Sequence, residues 1–154
     1  VGALNLTQEK ERKMIFDKQS LFSDAQAITA TAASTNVIDL GAPGSVINGN
    51  AVERDLGAGM PVKLQMQVVE DFDNLTSLTV ALQNCDAEGF GSGVVTVLST
   101  TIVLADLIEG KHIPPQYIPQ GTNLRYLRAQ YTVTGTAPTA GKVTAGIVCG
   151  HQTN

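Results

Sequence analysis

Residues 123–148 read NLRYLRAQYTVTGTAPTAGKVTAGIV, two runs that alternate in polarity at every second residue, separated by a stretch of Gly, Thr and Pro. A period of two belongs to a strand with one face toward a core and the other toward water or a partner. In the second run Val143, Ala145, Ile147 and Cys149 share one face, and Lys142, Thr144 and Gly146 share the other. The short turn-forming spacer predicts that the two runs fold back on each other as a β-hairpin.

The same period recurs upstream. Val62–Val69 places Val62, Leu64, Met66 and Val68 inward and Lys63, Gln65 and Gln67 outward, and Ser77–Asn84 continues with Leu78, Val80 and Leu82 on its core face. With Leu127, Val133, Val143, Ala145 and Ile147 these residues are expected to form one core between two sheets. The Thr-, Ile- and Val-containing runs Ala25–Thr31 and Asn36–Leu40 predict a first strand pair. Val94–Leu104 is apolar on both parities, which predicts either a central strand covered on both sides or one that changes sheet through a bulge. Residues 105–110 read as a turn or a single helical turn. Lys111–Gln120 carries Pro114, Pro115 and Pro119, so it should be extended and edge-like, because proline cannot donate to a ladder. No helical period follows residue 25. The expected fold is all-β, a jelly-roll-like sandwich of about eight antiparallel strands.

Two segments interrupt this pattern. Val1–Lys13 is polar and strongly charged. It reads either as a leader ahead of a start at Met14 or as an arm in which Thr7 caps a short helix through about Ser20. MIFDKQSLF opens like an N-terminus and favours the leader, so the expected division is residues 1–13 as leader or arm and 14–154 as a single β-sandwich domain. Gly41–Gly59, at about 18 residues, is too long for an ordinary connection and too Gly-rich for an element interior, hence a crossover between sheets or a contact loop.

Composition narrows the function classes. Hydrophobic residues make up 43% of the 154 residues, aromatics only 5%, and there is no Trp, so the core should be Val, Leu, Ile and Ala with little surface on which bases or sugars could stack. A net charge of −4 and a pI near 5.0 argue against nucleic acid as a partner. No apolar run reaches membrane-spanning length, and EKERK stands where a secretory signal would have its small-residue cleavage site, so no membrane partner and synthesis in the cytoplasm are expected.

Catalytic sets are not found. His112 and His151 neighbour no nucleophile or ligand motif and read as exposed loop histidines. GFGSG at Gly89–Gly93 has no following Lys-Ser or Lys-Thr and no helix to open, so it reads as a turn. The carboxylates Asp71 with Asp73, and Asp86 with Glu88, lack the ligand run of a calcium loop and suit turns instead. Cys85 and Cys149 have no zinc-ligand spacing; Cys149 continues an apolar strand face and is expected in the core, while spacing leaves open whether the two pair. No catalytic, cofactor-binding or metal-binding residue is expected. Arg125 and Arg128 beside Tyr126 and Tyr131 form either a protein-contact patch or a solvated strand face.

MIFDKQSLFSDAQAITATAASTNVIDLG at 14–41 and RYLRAQYTVTGTAPTAGKVTAGIV at 125–148, with the Gly-rich loop, ADLIEG and the Pro segment between them, resemble the capsid cement, or decoration, proteins of tailed bacteriophages of the Bordetella-phage podovirus type. The likeness covers Met14 to the end and rests on phrase order, not on a reactive motif. It implies a jelly-roll protein on the outer surface of a virion made in a bacterial host. It implies as partner the major capsid protein, whose neighbouring subunits it clamps as an oligomer; separately, the open edges of an isolated eight-strand sandwich and the grip gained by bridging two sites predict self-association as a homodimer. No catalytic residue transfers from the family. The expected contacts are Ile15, Phe16 and Phe22 in the leading segment, Glu53, Arg54 and Asp55 in the long loop, Tyr117 in the Pro-rich edge, and Arg125, Tyr126 and Arg128 on the strand. For the homodimer, the Arg125–Arg128 strand and the edge Ile113–Ile118 are the expected surfaces. The rival reading is a carbohydrate-binding jelly-roll module of a phage fibre, which would normally expose Trp or Tyr; this chain has no Trp.

Overall fold

The computed structural model describes residues 16–42 and 54–150. Eight strands follow one another: β1 (Leu21–Ala27), β2 (Ala32–Ala33), β3 (Ile38–Asp39), β4 (Lys63–Glu70), β5 (Leu75–Cys85), β6 (Val95–Val103), β7 (Tyr126–Gly135) and β8 (Lys142–Val148). Among the described residues two short 3-10 turns accompany them, at Lys18–Ser20 and Leu104–Asp106. One sheet has three strands in the order β1-β8-β4; the other has five, with β2 and β3 both lying along β7, followed by β5 and then β6. All pairings are antiparallel. The expected all-β sandwich is the observed architecture.

The core forms where the inward faces of the sheets meet. Of the twelve residues assigned to it by parity, Leu64, Met66, Val68, Leu78, Val80, Leu82, Leu127, Val143 and Ala145 are buried, and Val62, Val133 and Ile147 pack half-buried against them. Tyr131 is the largest fully buried side chain. Its phenol meets the Ser23 hydroxyl at 2.8 Å, joining β7 to β1 across the sandwich. Burial disfavours the phenolate, and Tyr131 is pushed up to about 12 although the Ser23 hydrogen bond acts the other way.

The predicted hairpin does not form. β7 pairs with β2, β3 and β5, whereas β8 pairs with β1 and β4, so residues 136–141 arch from one sheet to the other. Alternation specifies which face of a strand is buried, but not which strand lies along its edge. The arch is held by Asp73, whose carboxylate accepts from Thr139 N at 2.6 Å, from Ala140 N at 3.0 Å and from the Thr139 hydroxyl. These donors hold the Asp73 carboxyl below its ordinary pKa, the Thr139 hydroxyl contributing most. Gly141 closes the arch at φ +129°, and a Cβ there would lie 2.4 Å from the Phe72 ring. The arch therefore needs glycine at this point.

Three further expectations are corrected. The runs 25–31 and 36–40 do not pair with each other, because β1 joins β8 while β2 and β3 join β7; the chain changes sheet after Ala27, at the fully buried Ile28. β6 is neither central nor a sheet-changing strand. It is the edge of the five-stranded sheet, with Ile102 its one buried residue, and the register slip between Leu82 and Gln83 of β5 is absorbed without leaving the sheet. Cys149 lies exposed just past the end of β8, and Cys85 is buried with its thiol toward Ser92 O at 3.1 Å; both are free thiols.

The proline-rich segment behaves as its composition requires. Residues 111–118 run beside the outer edge of β4, with hydrogen bonds of 2.9–3.0 Å between Leu64 N and Gln116 O, Val68 N and Lys111 O, Ile113 N and Met66 O, and Ile118 N and Val62 O. Ile113 and Ile118 are buried by this docking, so they are not the contact residues expected of that edge. Gln65, expected to face outward, is also buried, its amide bonded to His112 Nδ1.

Candidate functional site

The candidate residues Arg54, Asp55, Arg125 and Tyr126 converge where β3 ends and β7 begins. Asp39 of β3 lies opposite Tyr126 of β7, and Leu40 N donates to Arg125 O at 2.9 Å. Arg125 grips Asp39 with two parallel bonds, Nε to Oδ1 and Nη2 to Oδ2, each 2.8 Å. Gly41 N adds a third donor to Asp39 Oδ1 at 2.8 Å. The Asp39 carboxyl is lowered to about 2, first by the Arg125 hydrogen bond and then by Gly41 N, and Arg125 is raised in turn. The Arg125 guanidinium also lies 4.9 Å from the centroid of the Tyr126 ring.

The long loop begins and ends at this cluster. Arg54 reaches back to the carbonyls of Leu40 and Gly41, the second through Nη2 at 2.6 Å, so one side chain closes the mouth of the loop. Asp55 fastens the returning chain, accepting from Gly57 N at 3.0 Å and from Gly121 N at 2.8 Å. Gly57 approaches Pro119 so closely that a Cβ would fall 2.0 Å from the Pro119 carbonyl. Arg54 and Asp55 thus set the base of the loop. Glu53, with loop residues 43–53, and Ile15 lie outside the described residues.

Arg128 stands two residues farther along the same face of β7. Its Nε donates to Gln83 Oε1 at 3.0 Å, and its guanidinium covers the Phe90 ring at 4.1 Å. Tyr117 projects from the proline-rich segment opposite Lys63 and is 47% exposed, enough ring to meet a partner. Phe16 is half-buried against β8, where Gly146 leaves room: a Cβ there would lie 3.1 Å from the Phe16 ring. Phe22 is fully buried in the core, facing the other sheet, so it is withdrawn from the set of contact residues.

Sequence reasoning missed Asp39, Phe90 and Gln83, the partners that orient the two arginines. A signal existed for two of them. Asp39 is followed two residues later by Gly41, the spacing of an aspartate that caps its own turn, and Phe90 is an aromatic between glycines in a polar turn. Among the described residues no group of three or more His, Cys, Asp or Glu side chains could hold a metal ion. The acidic side chains Asp71 and Asp73 bond instead to backbone, Asp71 accepting from Glu109 N at 2.6 Å.

A small antiparallel sandwich whose polar side chains fasten loops and present arginine and tyrosine on one sheet end is a binding scaffold. Residues 22–147 match the Bbp16 family model, and the chain belongs to this family of Bordetella-phage-type capsid cement proteins. It is a structural virion protein of the outer capsid surface that binds the capsid, and not an enzyme. No curated protein matches the chain.

Proposed function

We propose that the protein grips neighbouring major capsid protein subunits with the end of the sandwich at which the 41–59 loop emerges, and that it does so as a homodimer of 14–154 domains. The observation that carries this reading is the clasp of Arg54 on Leu40 and Gly41 beside the Arg125–Asp39 pair, which fixes the base of the loop next to Tyr126 and Arg128. A loop with a rigid base loses less conformational entropy when its tip is ordered by a partner. Aromatic and arginine side chains are the types that dominate interface energies, and the half-exposed Tyr117 beside Lys63 of β4 is a further aromatic of this kind. Two linked copies bridge adjacent subunits at high effective concentration.

Co-sedimentation with assembled empty shells, together with the shells' disruption temperature, tests this reading. The intact protein should pellet with shells and raise that temperature, since a ligand of the assembled state stabilises it by mass action. Shortening residues 43–53, or a Tyr126→Ala/Arg128→Ala variant, should lower the affinity at least tenfold. Unchanged pelleting by both variants would overturn the assignment of this surface.

A further inference from the structure

A β-sandwich of this topology has four outer edges, and three are blunted. β1 has two register irregularities and a left-handed residue, Ala25 at φ +45°. The outer edge of β4 is covered by residues 111–118. The far side of β7 is lined only by β2 and β3, two residues each. These are the usual defences against edge-to-edge association.

β6 has none of them beyond one bulge near its start. Its nine residues, VTVLSTTIV, contain no charge and no proline, and among the described residues nothing pairs with its outer side. Val103 is 53% exposed. A groove of about 330 Å³ touches the consecutive residues Thr100, Thr101, Ile102 and Val103, and is lined as well by Pro114, His112 and the ion-paired Asp106 and Lys111. Because successive strand residues point to opposite faces, a groove touching all four must follow the strand's backbone edge.

We propose that β6 is the homodimer interface: it pairs antiparallel with β6 of a second copy about a two-fold axis at Thr100, joining the two five-stranded sheets into one. The proposal rests on the homodimer reading above and names its surface. The occupant follows from self-complementarity. Leu98, Thr100 and Ile102 face inward, opposite Leu82, Val80 and Leu78 of β5, while Ser99 and Thr101 face outward opposite Ala81 and Thr79. With Thr100 at the axis, Leu98 meets the partner's Ile102 in the core layer, and Ser99 meets the partner's Thr101 on the outer face. Each residue meets its own kind, apolar with apolar and hydroxyl with hydroxyl, and both patches are the same patch, as a two-fold interface requires. This register lies on the regular part of the strand, past the irregularity opposite Leu82 and Gln83.

Sedimentation velocity over a micromolar range tests the pairing, with the exposed positions 99 and 101 as the lever. Ser99→Lys/Thr101→Lys places like charges opposite each other twice across the axis, whereas Ser99→Lys/Thr101→Glu places opposite charges there. Circular dichroism confirms that both variants fold. The wild type should sediment as a dimer, the Lys/Glu variant should remain one, and the dissociation constant of the Lys/Lys variant should exceed that of the Lys/Glu variant by roughly tenfold or more. A monomeric wild type, or equal dimerisation of the two variants, overturns the proposal. Shell pelleting separates it from the capsid reading. A chain that pellets while remaining monomeric overturns the β6 pairing and leaves capsid contact standing; a dimer that shows the expected charge pattern but does not pellet supports the pairing and overturns the capsid surface.

Discussion

β4 and β6 are both last in their sheet's pairing order, similar in length and rich in β-branched and aliphatic residues, yet they live in opposite environments. Four of the eight residues of β4 are buried, Leu64, Met66 and Val68 in the core and the polar Gln65 against His112 of the segment that covers the outer edge. Only one of the nine residues of β6 is buried, and its edge is open among the described residues. Among the described residues the chain protects one edge with a proline-rich segment and leaves the other, a strand without charged residues of its own, unpaired. In a cement protein, an edge left bare is a surface available for assembly.

The largest effect should come from truncating the covered strand. Leu64→Ala removes a fully buried side chain near the start of β4 and should cost about 2–5 kcal/mol in chemical denaturation. Leu98→Ala on half-buried β6 should cost less than half as much in the dilute protein. Equal losses would break the contrast between the strands.

A pH titration reads the core that both strands share. The Tyr131 phenol is neutral in folded and unfolded chains below about pH 10. Because burial pushes it up to about 12 in the folded state, the unfolded chain ionises first. Its contribution is therefore complete below the unfolded value and is lost as pH rises through the window from about 10 to 12, on the order of 2 kcal/mol in all. Thermal melts in that window should fall more steeply for the wild type than for Tyr131→Phe, and parallel curves would remove Tyr131 from the account.

The smallest effect should be at the open strand's start. Val95→Thr, at a residue 46% exposed and outside the proposed pairing register, should change stability by less than ~0.5 kcal/mol. A larger loss would mean that β6 is covered after all, and would sharpen the comparison by placing its partner nearer that end.

The sequence by itself determined the strands and their faces. The core faces of Val62–Val69 and Ser77–Asn84 could be read because a strand with one buried face must alternate, and proline at 114, 115 and 119 could only lie at an edge. The arginine–tyrosine cluster at 125–128 was legible as a surface feature, and the phrase order pointed to the family that the Bbp16 match establishes. Pairing was decided only by the tertiary structure. The runs 126–135 and 142–148 alternate as a hairpin would, but hydrogen-bonding edges carry no side-chain signature, and Asp73, distant in sequence, holds the arch that sends them to different sheets. Apolar residues on both parities of β6 suggested burial from two sides, since composition cannot distinguish a strand covered by its own chain from one left open to another. The roles of Arg54 and Arg125 were hidden for the same reason. Their partners, the Leu40 and Gly41 carbonyls and the Asp39 carboxylate, reach them only once the ends of the long loop and the start of β7 have come together.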